Sequence, residues 1–232
     1  MKILFYSLYF LLFIPVCISG QSSQKVRIDN NKVSADSINP QFKQIFPDFR
    51  GARIHYKGMM PIKCQANYNF LLDEILYINE KGEMMALANP VDLQYAIIDN
   101  RKFIPIHKGY YEVIDEGEIS LIYKWHCRIR QTKKEGVLGI DTDAPSVYQM
   151  NRISFDAKEW KMDVAQDALA FVEVVPYLKA KTKLIAVKGA GSFYKAYKGK
   201  SSEIKKYLSE NPVDFKQEKD LRRLTTFTNG LE

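Results

Sequence analysis

The sequence predicts an α+β fold: an antiparallel β-sheet meander of about eight strands, closed at its C-terminal end by short helices. Three observations carry that prediction. In residues 119–129, Ile119, Leu121, Tyr123, Trp125, Cys127 and Ile129 share one parity, while Ser120, Lys124, His126 and Arg128 share the other. Successive side chains of a strand point to opposite faces, so this is one long strand with an apolar and a wet face. Turn-forming clusters recur about every ten residues through the middle of the chain, the spacing of a meander. Beyond position 190 the apolar residues change to helical spacing and stop at Asn211-Pro212, a helix-ending signal.

The elements follow in order. Lys2, a nearly unbroken apolar run over residues 3–16, and small residues ahead of the polar Gln21 make residues 1–20 a secretory signal peptide cleaved after Gly20. A retained anchor would need about 20 apolar residues. Lipidation at Cys17 is disfavoured by Ile14-Pro15-Val16 before it and Ile18 after it. No later segment is apolar enough to cross a bilayer, so no transmembrane segment is expected in the mature chain. Residues 21–45 read as a flexible polar leader, residues 46–190 as the β-rich body, and residues 191–232 as a helical tail packed on it.

Within the body, strands are expected over 52–56 and 62–70. In the second, Ile62, Cys64, Ala66, Tyr68 and Phe70 alternate with Lys63, Gln65, Asn67 and Asn69. Hairpins follow at 75–78 and 84–87, around Asn79-Glu80-Lys81-Gly82, and at 93–98 and 102–106, around Asp99-Asn100-Arg101. A strand over 110–114 leads through Asp115-Glu116-Gly117 into 119–129. Residues 131–164 lack periodicity and read as a long excursion. Residues 169–177 and 183–188 form a late hairpin, with a helical alternative for 164–172. In the tail, Ser192 is expected to cap a turn carrying Phe193, Ala196 and Tyr197. Ser201 or Ser202 caps a helix striped by Ile204, Tyr207 and Leu208, and a last helix over 218–228 carries Leu221, Leu224 and Thr228.

Composition narrows the class. An apolar fraction of 46% beside 26% charged residues excludes wholesale disorder, and 14 Tyr with 13 Phe suits sheets better than helical bundles. Export permits disulfides, and the mature chain keeps the pair Cys64 and Cys127. A bridge between them is one reading; two buried small hydrophobes is the favoured one.

Most chemistries find no support. His55, His107 and His126 sit at no metal-ligand spacing, and Asp141-x-Asp143 lacks the rest of a calcium loop, so no metal and no cofactor is expected. Gly199-Lys200-Ser201 resembles the end of a phosphate loop, but Tyr194 occupies the position where its first Gly belongs. There is no Gly-x-Ser-x-Gly. The carboxylates Asp73, Glu74, Glu112 and Glu173 are candidates for spatial pairing in glycoside hydrolysis, with Glu173 in the most apolar surroundings. From Lys179 to Lys206 there are nine lysines and one acid, Glu203. Lys195, Lys198, Lys200 and Lys205 are therefore the anion-binding candidates. The favoured reading is still a solvated face, because every charge is Lys rather than the fork-shaped Arg.

Phe46-Pro47-Asp48-Phe49-Arg50-Gly51, Asn67-Tyr68-Asn69 with Asp73-Glu74, Gly82-Glu83 with Leu87, Arg101-Lys102-Phe103, Tyr111-Glu112-Val113, and Val213-Asp214-Phe215 with Asp220-Leu221 occur in that order. Their order and spacing resemble a family of uncharacterised exported bacterial proteins, over nearly the whole mature chain. The resemblance implies a signal peptide, a β-rich body and a helical tail, and brings no activity. Where the family has a loop rich in Tyr, Gly and Ser, this chain has Leu138-Gly139-Ile140-Asp141-Thr142.

The expectation is an exported periplasmic or extracellular protein acting as a non-enzymatic binding module, with an envelope protein or glycan as partner and no nucleic acid. The alternative is an envelope polysaccharide hydrolase using paired carboxylates.

Overall fold

A computed structural model describes residues 22–28, 33–87, 92–107, 109–131 and 166–231. Residues 1–20, where a signal peptide is expected, most of the 131–164 excursion and Asp141-x-Asp143 lie outside these residues. The fold is α+β, with more strands than expected: the described residues form a single antiparallel sheet of eleven strands and three short helices near the C-terminus.

The strands are β1 (Ser23–Ile28), β2 (Arg50–Tyr56), β3 (Ile62–Asn69), β4 (Glu74–Ile78), β5 (Met84–Ala86), β6 (Leu93–Ile98), β7 (Arg101–Ile106), β8 (Gly109–Asp115), β9 (Ser120–Gln131), β10 (Gln166–Lys179) and β11 (Leu184–Ala186). The helices are α1 (Ala190–Ala196), α2 (Ser201–Glu210) and α3 (Glu218–Asn229). The sheet order is β1-β10-β9-β8-β7-β6-β2-β3-β4-β5, with β11 pairing the far end of β10. The expected meander is therefore two meanders, β2 to β5 and β6 to β10, joined where β6 returns to pair with β2. The leader reading needs correction as well, because residues 23–28 form β1 and pair with β10 from Ser23↔Phe171 to Ile28↔Gln166. β10 is a strand along its whole length, with no helix at its start. Pro176, which has no N–H to give a ladder, falls where β1 has ended and β11 has not begun.

Alternation places Tyr123, Trp125, Cys127 and Ile129 of β9 on one face with their partners Pro176, Val174, Val172 and Ala170 of β10. Through Glu112↔Tyr123, Phe103↔Glu112, Ala96↔Phe103 and Ile54↔Ala96, the same face continues across the sheet. That face curls on itself. β3 and β8 are four strands apart along the sheet, about 19 Å if it were flat. Yet the Tyr68 hydroxyl of β3 donates to the Tyr110 carbonyl of β8 at 3.3 Å. Residues 33–46 bridge β1 to the end of β3, with Ile38 and Phe42 buried beneath them and the Ile45 N–H donating to the Tyr68 carbonyl at 3.0 Å.

The curled half encloses one core around Ile54, Tyr68, Ile98 and Phe103. The three helices cover the other half, where Leu121, Tyr123 and Leu178 meet Phe193, Ile204, Leu221 and Leu224. Trp125 borders both cores. Among the described residues no helix is long and apolar enough to cross a membrane.

The expected cap residues are used differently. Ser192 lies inside α1, where its hydroxyl donates to the Ala186 carbonyl at 2.9 Å and accepts the Lys188 N–H at 3.0 Å. It ties the helix to β11. The N-cap of α2 is Lys200 rather than a serine. Asn211 does end α2, and its side-chain amide donates to the Tyr207 carbonyl at 3.0 Å.

Candidate functional site

Among the described residues a half-open cleft of about 490 Å³ lies between the inner face of β9 and β10 and the segment leading into α3. Its floor is Tyr123, Val174 and Pro176; Val187, Phe215 and Leu221 form the walls, and Lys188, Asp214 and Lys216 stand at the rim. Each wall is fixed. The Val187 N–H donates to the Pro176 carbonyl at 2.8 Å, holding the end of β11 against β10. Asp220, in the first turn of α3, accepts the Asp214 N–H at 2.9 Å, and the Asp214 side chain accepts the Lys216 N–H at 2.9 Å. Burial pushes the Tyr123 hydroxyl well above the ordinary tyrosine range, and the negative charge of Glu218 adds to it. The hydroxyl therefore stays neutral and can donate or accept a hydrogen bond. The floor is apolar with one hydroxyl, and at the mouth two exposed ammonium groups outnumber the Asp214 carboxylate, which suits an apolar group carrying an acidic head.

Beside the cleft, Glu112 joins Arg101 to Trp125. Arg101 binds Glu112 through two N–H donors at 2.6 and 2.5 Å, and the indole N–H of Trp125 donates to the same carboxylate at 2.8 Å. The guanidinium lies between the rings of Phe46 and Trp125, at 5.6 and 5.1 Å from their centroids. A second cluster fills the place where the start of β8 diverges from β9. Asp73 takes a left-handed backbone, φ 60°, at the end of the β3–β4 turn, and its carboxylate accepts from Lys124 at 2.6 Å, Tyr68 at 2.8 Å and the Tyr110 N–H at 3.1 Å. Lys124 also donates to the Tyr110 carbonyl at 2.9 Å. Burial and the Asp73 charge hold the Tyr68 hydroxyl neutral. A side chain at Gly109 would collide with this cluster.

The sequence candidates are scattered. Glu173 lies on the outer face of β10, partly exposed, with Arg128 at 2.5 Å; its surroundings are ionic rather than apolar. Asp73, Glu112 and Glu173 each hold a different cation. Lys195, Lys198 and Lys205 are exposed and Lys200 is half-buried, spread over α1, the turn after it and α2. The aromatics between them turn inward: Phe193 is fully buried, and Tyr197 donates to Asn229 at 2.9 Å. Cys64 is half-buried and Cys127 buried, both as free thiols beside the same core, so the bridge between them is not formed here. Burial raises both thiols, Cys127 to about 11. Among the described residues no group of three His, Cys, Asp or Glu is placed to hold a metal ion.

The cleft residues escaped sequence reading because they are scattered between Tyr123 and Leu221. The available signal was Val213 and Phe215, two apolar residues alternating with charge just after a helix stop. Comparison with known proteins returns no matching family model, no matching curated protein and no matching solved structure.

Proposed function

We propose that this chain is an exported envelope protein that acts by binding, and that its ligand is an apolar group with an acidic head seated in the cleft over Tyr123. The observation that carries this reading is the lining: a mostly apolar floor and wall, with Lys188, Lys216 and Asp214 at the mouth. A preformed concave site of this size with a few polar groups is the ordinary form of a small-ligand site. Export rests on the signal-peptide pattern of residues 1–20 and on the resemblance to exported bacterial proteins. N-terminal sequencing of the chain recovered from its host should begin at Gln21; a retained Met1 sinks the export reading.

The alternative, a polysaccharide hydrolase with paired carboxylates, is less favoured. Asp73, Glu112 and Glu173 are each engaged by a cation, which leaves none of them poised as an acid facing a second one.

The binding reading is tested with 1-anilinonaphthalene-8-sulfonate, an apolar probe with an acidic head. Saturable fluorescence enhancement is expected. It should fall roughly ten-fold in affinity when Val174→Trp fills the floor, and several-fold in a Lys188→Glu, Lys216→Glu double variant. Enhancement that ignores all three substitutions, or none at all, refutes it.

A further inference from the structure

Among the described residues, the large apolar side chains left exposed all lie at one end of the sheet. They are Met59 at 62%, Met60 at 86%, Ile62 at 46%, Met84 at 61% and Met85 at 46%. Met59 and Met60 form the tip of the β2–β3 connection, and Ile62 opens β3. Met84 and Met85 belong to the edge strand β5, where the register sets them abreast of Gln65 and Ala66 in the middle of β3 and on opposite faces of the sheet. Isolated exposed apolar residues need no explanation, but a cluster confined to one edge does.

The charge along the β2–β3 hairpin itself is one-sided. From Arg50 to Leu72 the chain carries Arg50, Arg53, Lys57 and Lys63 and no acid. Lys57 and Lys63 bracket the Met-Met-Pro-Ile tip, and both are exposed. Exposed Asp92 lies beside Lys57, its carbonyl accepting the Lys57 N–H at 2.9 Å, and in the β4–β5 turn Glu83 is held by the Asn79 amide at 2.9 Å. Flexible, unbranched methionines adapt to an irregular apolar medium. Apolar residues pointing outward between two ammonium groups match a lipid surface, where the side chains enter the acyl boundary while the cations stay among anionic headgroups. A protein groove would satisfy the apolar tip, but nothing in it would call for a basic collar.

We propose that the Met59–Ile62 tip, with Lys57 and Lys63 beside it, docks the protein onto an anionic lipid surface. The contact is peripheral and reversible, since a few apolar side chains and two lysines are far short of a spanning segment. It would leave the cleft over Tyr123, on the other half of the sheet, open to its ligand.

The test is vesicle sedimentation of the protein recovered after export, so that residues 1–20 contribute nothing. Vesicles of phosphatidylcholine alone are compared with vesicles containing a third phosphatidylglycerol. Binding is expected only with the anionic vesicles and should weaken as salt rises. Met60→Asp should lower the partition roughly ten-fold, as expected for losing one buried apolar side chain. Lys57→Gln and Lys63→Gln should each lower it about five-fold. All these positions are exposed, so unchanged circular dichroism and melting temperature confirm that the variants fold. Equal binding to both vesicle types, anionic binding that Met60→Asp leaves intact, or no binding at low salt each overturns the proposal. So does a dimer in lipid-free solution that Met60→Asp dissolves, which would assign the patch to a second copy of this chain.

Discussion

Lys124 shows how one residue can be legible in sequence and still be misplaced. Its parity puts it on the wet side of β9, yet it is buried, because the gap where β8 leaves β9 admits its ammonium to Asp73 and the Tyr110 carbonyl. An ammonium in such a place needs its carboxylate. Asp73→Asn should cost about 2–3 kcal/mol in urea denaturation, at the lower side of the usual penalty because Asp73 is a third exposed. Lys124→Met should cost less, since it removes the buried charge instead of orphaning it. The reverse ranking would mean that the pair does not stabilise through charge.

Titration gives a second prediction at this scale. His126 is lowered from 6.5, chiefly by burial, with Arg128 and Lys124 adding to it. Folding therefore favours its neutral form, and that contribution is complete above the unfolded value and lost as pH falls below it. Cys127 is raised by burial to about 11, and Tyr110 and Tyr197 to about 12. Folding favours their protonated forms, so their contribution is complete below the unfolded values, 9.0 for the thiol and 10.0 for the phenols, and drains away as pH climbs toward the folded ones. The melting temperature should be flat from about pH 7 to 9 and fall on either side. Cys127→Ala should remove the earliest part of the alkaline fall, and His126→Gln should flatten the acid side. Melting curves across this range decide it.

At the scale of elements, two asparagines perform the same task. Asn67 of β3 accepts the Phe46 N–H at 3.2 Å and donates to the Phe46 carbonyl at 2.8 Å. Asn229, the last residue of α3, accepts the Ile119 N–H at 3.2 Å and donates to the Ile119 carbonyl at 3.0 Å. Each side chain acts as a one-residue strand partner, satisfying backbone groups that no ladder reaches. Asn67 fastens the incoming chain to the curled half, and Asn229 fastens the last helix to the β8–β9 connection. A Cβ at Gly117 would strike the Asn229 amide, which is why that turn carries glycine. Asn229→Ala and Asn67→Ala should each cost about 2–3 kcal/mol by leaving buried donors and acceptors unpaired. The two sites share no partner, so the double variant should be additive within about 0.5 kcal/mol by denaturant unfolding.

At the scale of the molecule, the helices are half of the core's enclosure. Leu121, Tyr123 and Leu178 on the inner face are covered by Phe193, Ile204, Leu221 and Leu224 rather than by the sheet's own curl. A chain ending at Lys188 should therefore expose that face and aggregate, even though every residue of the curled half is present. Recovery of a soluble, sheet-rich truncated protein would show that the curled half stands alone.

Strand positions from β2 to β11 and the three helices were readable in the residues, because alternation, turn chemistry and the helical stripe are local signals. β1 was not readable. Its short alternation, Gln24, Val26 and Ile28 against Lys25 and Arg27, is too weak to outweigh the polar residues around it, and only the edge of β10 makes it a strand. The same limit hid the break in the meander, the cleft, and the pairings Asp73–Lys124 and Arg101–Glu112–Trp125. What residue order determined by itself was the strand and helix segments from β2 onward, and which parity of each strand is apolar. The curl, and with it every contact among residues distant in the chain, was decided only by the folded sheet. Alternation says which face of a strand seeks cover, but not whether a helix or another stretch of the same sheet will provide it.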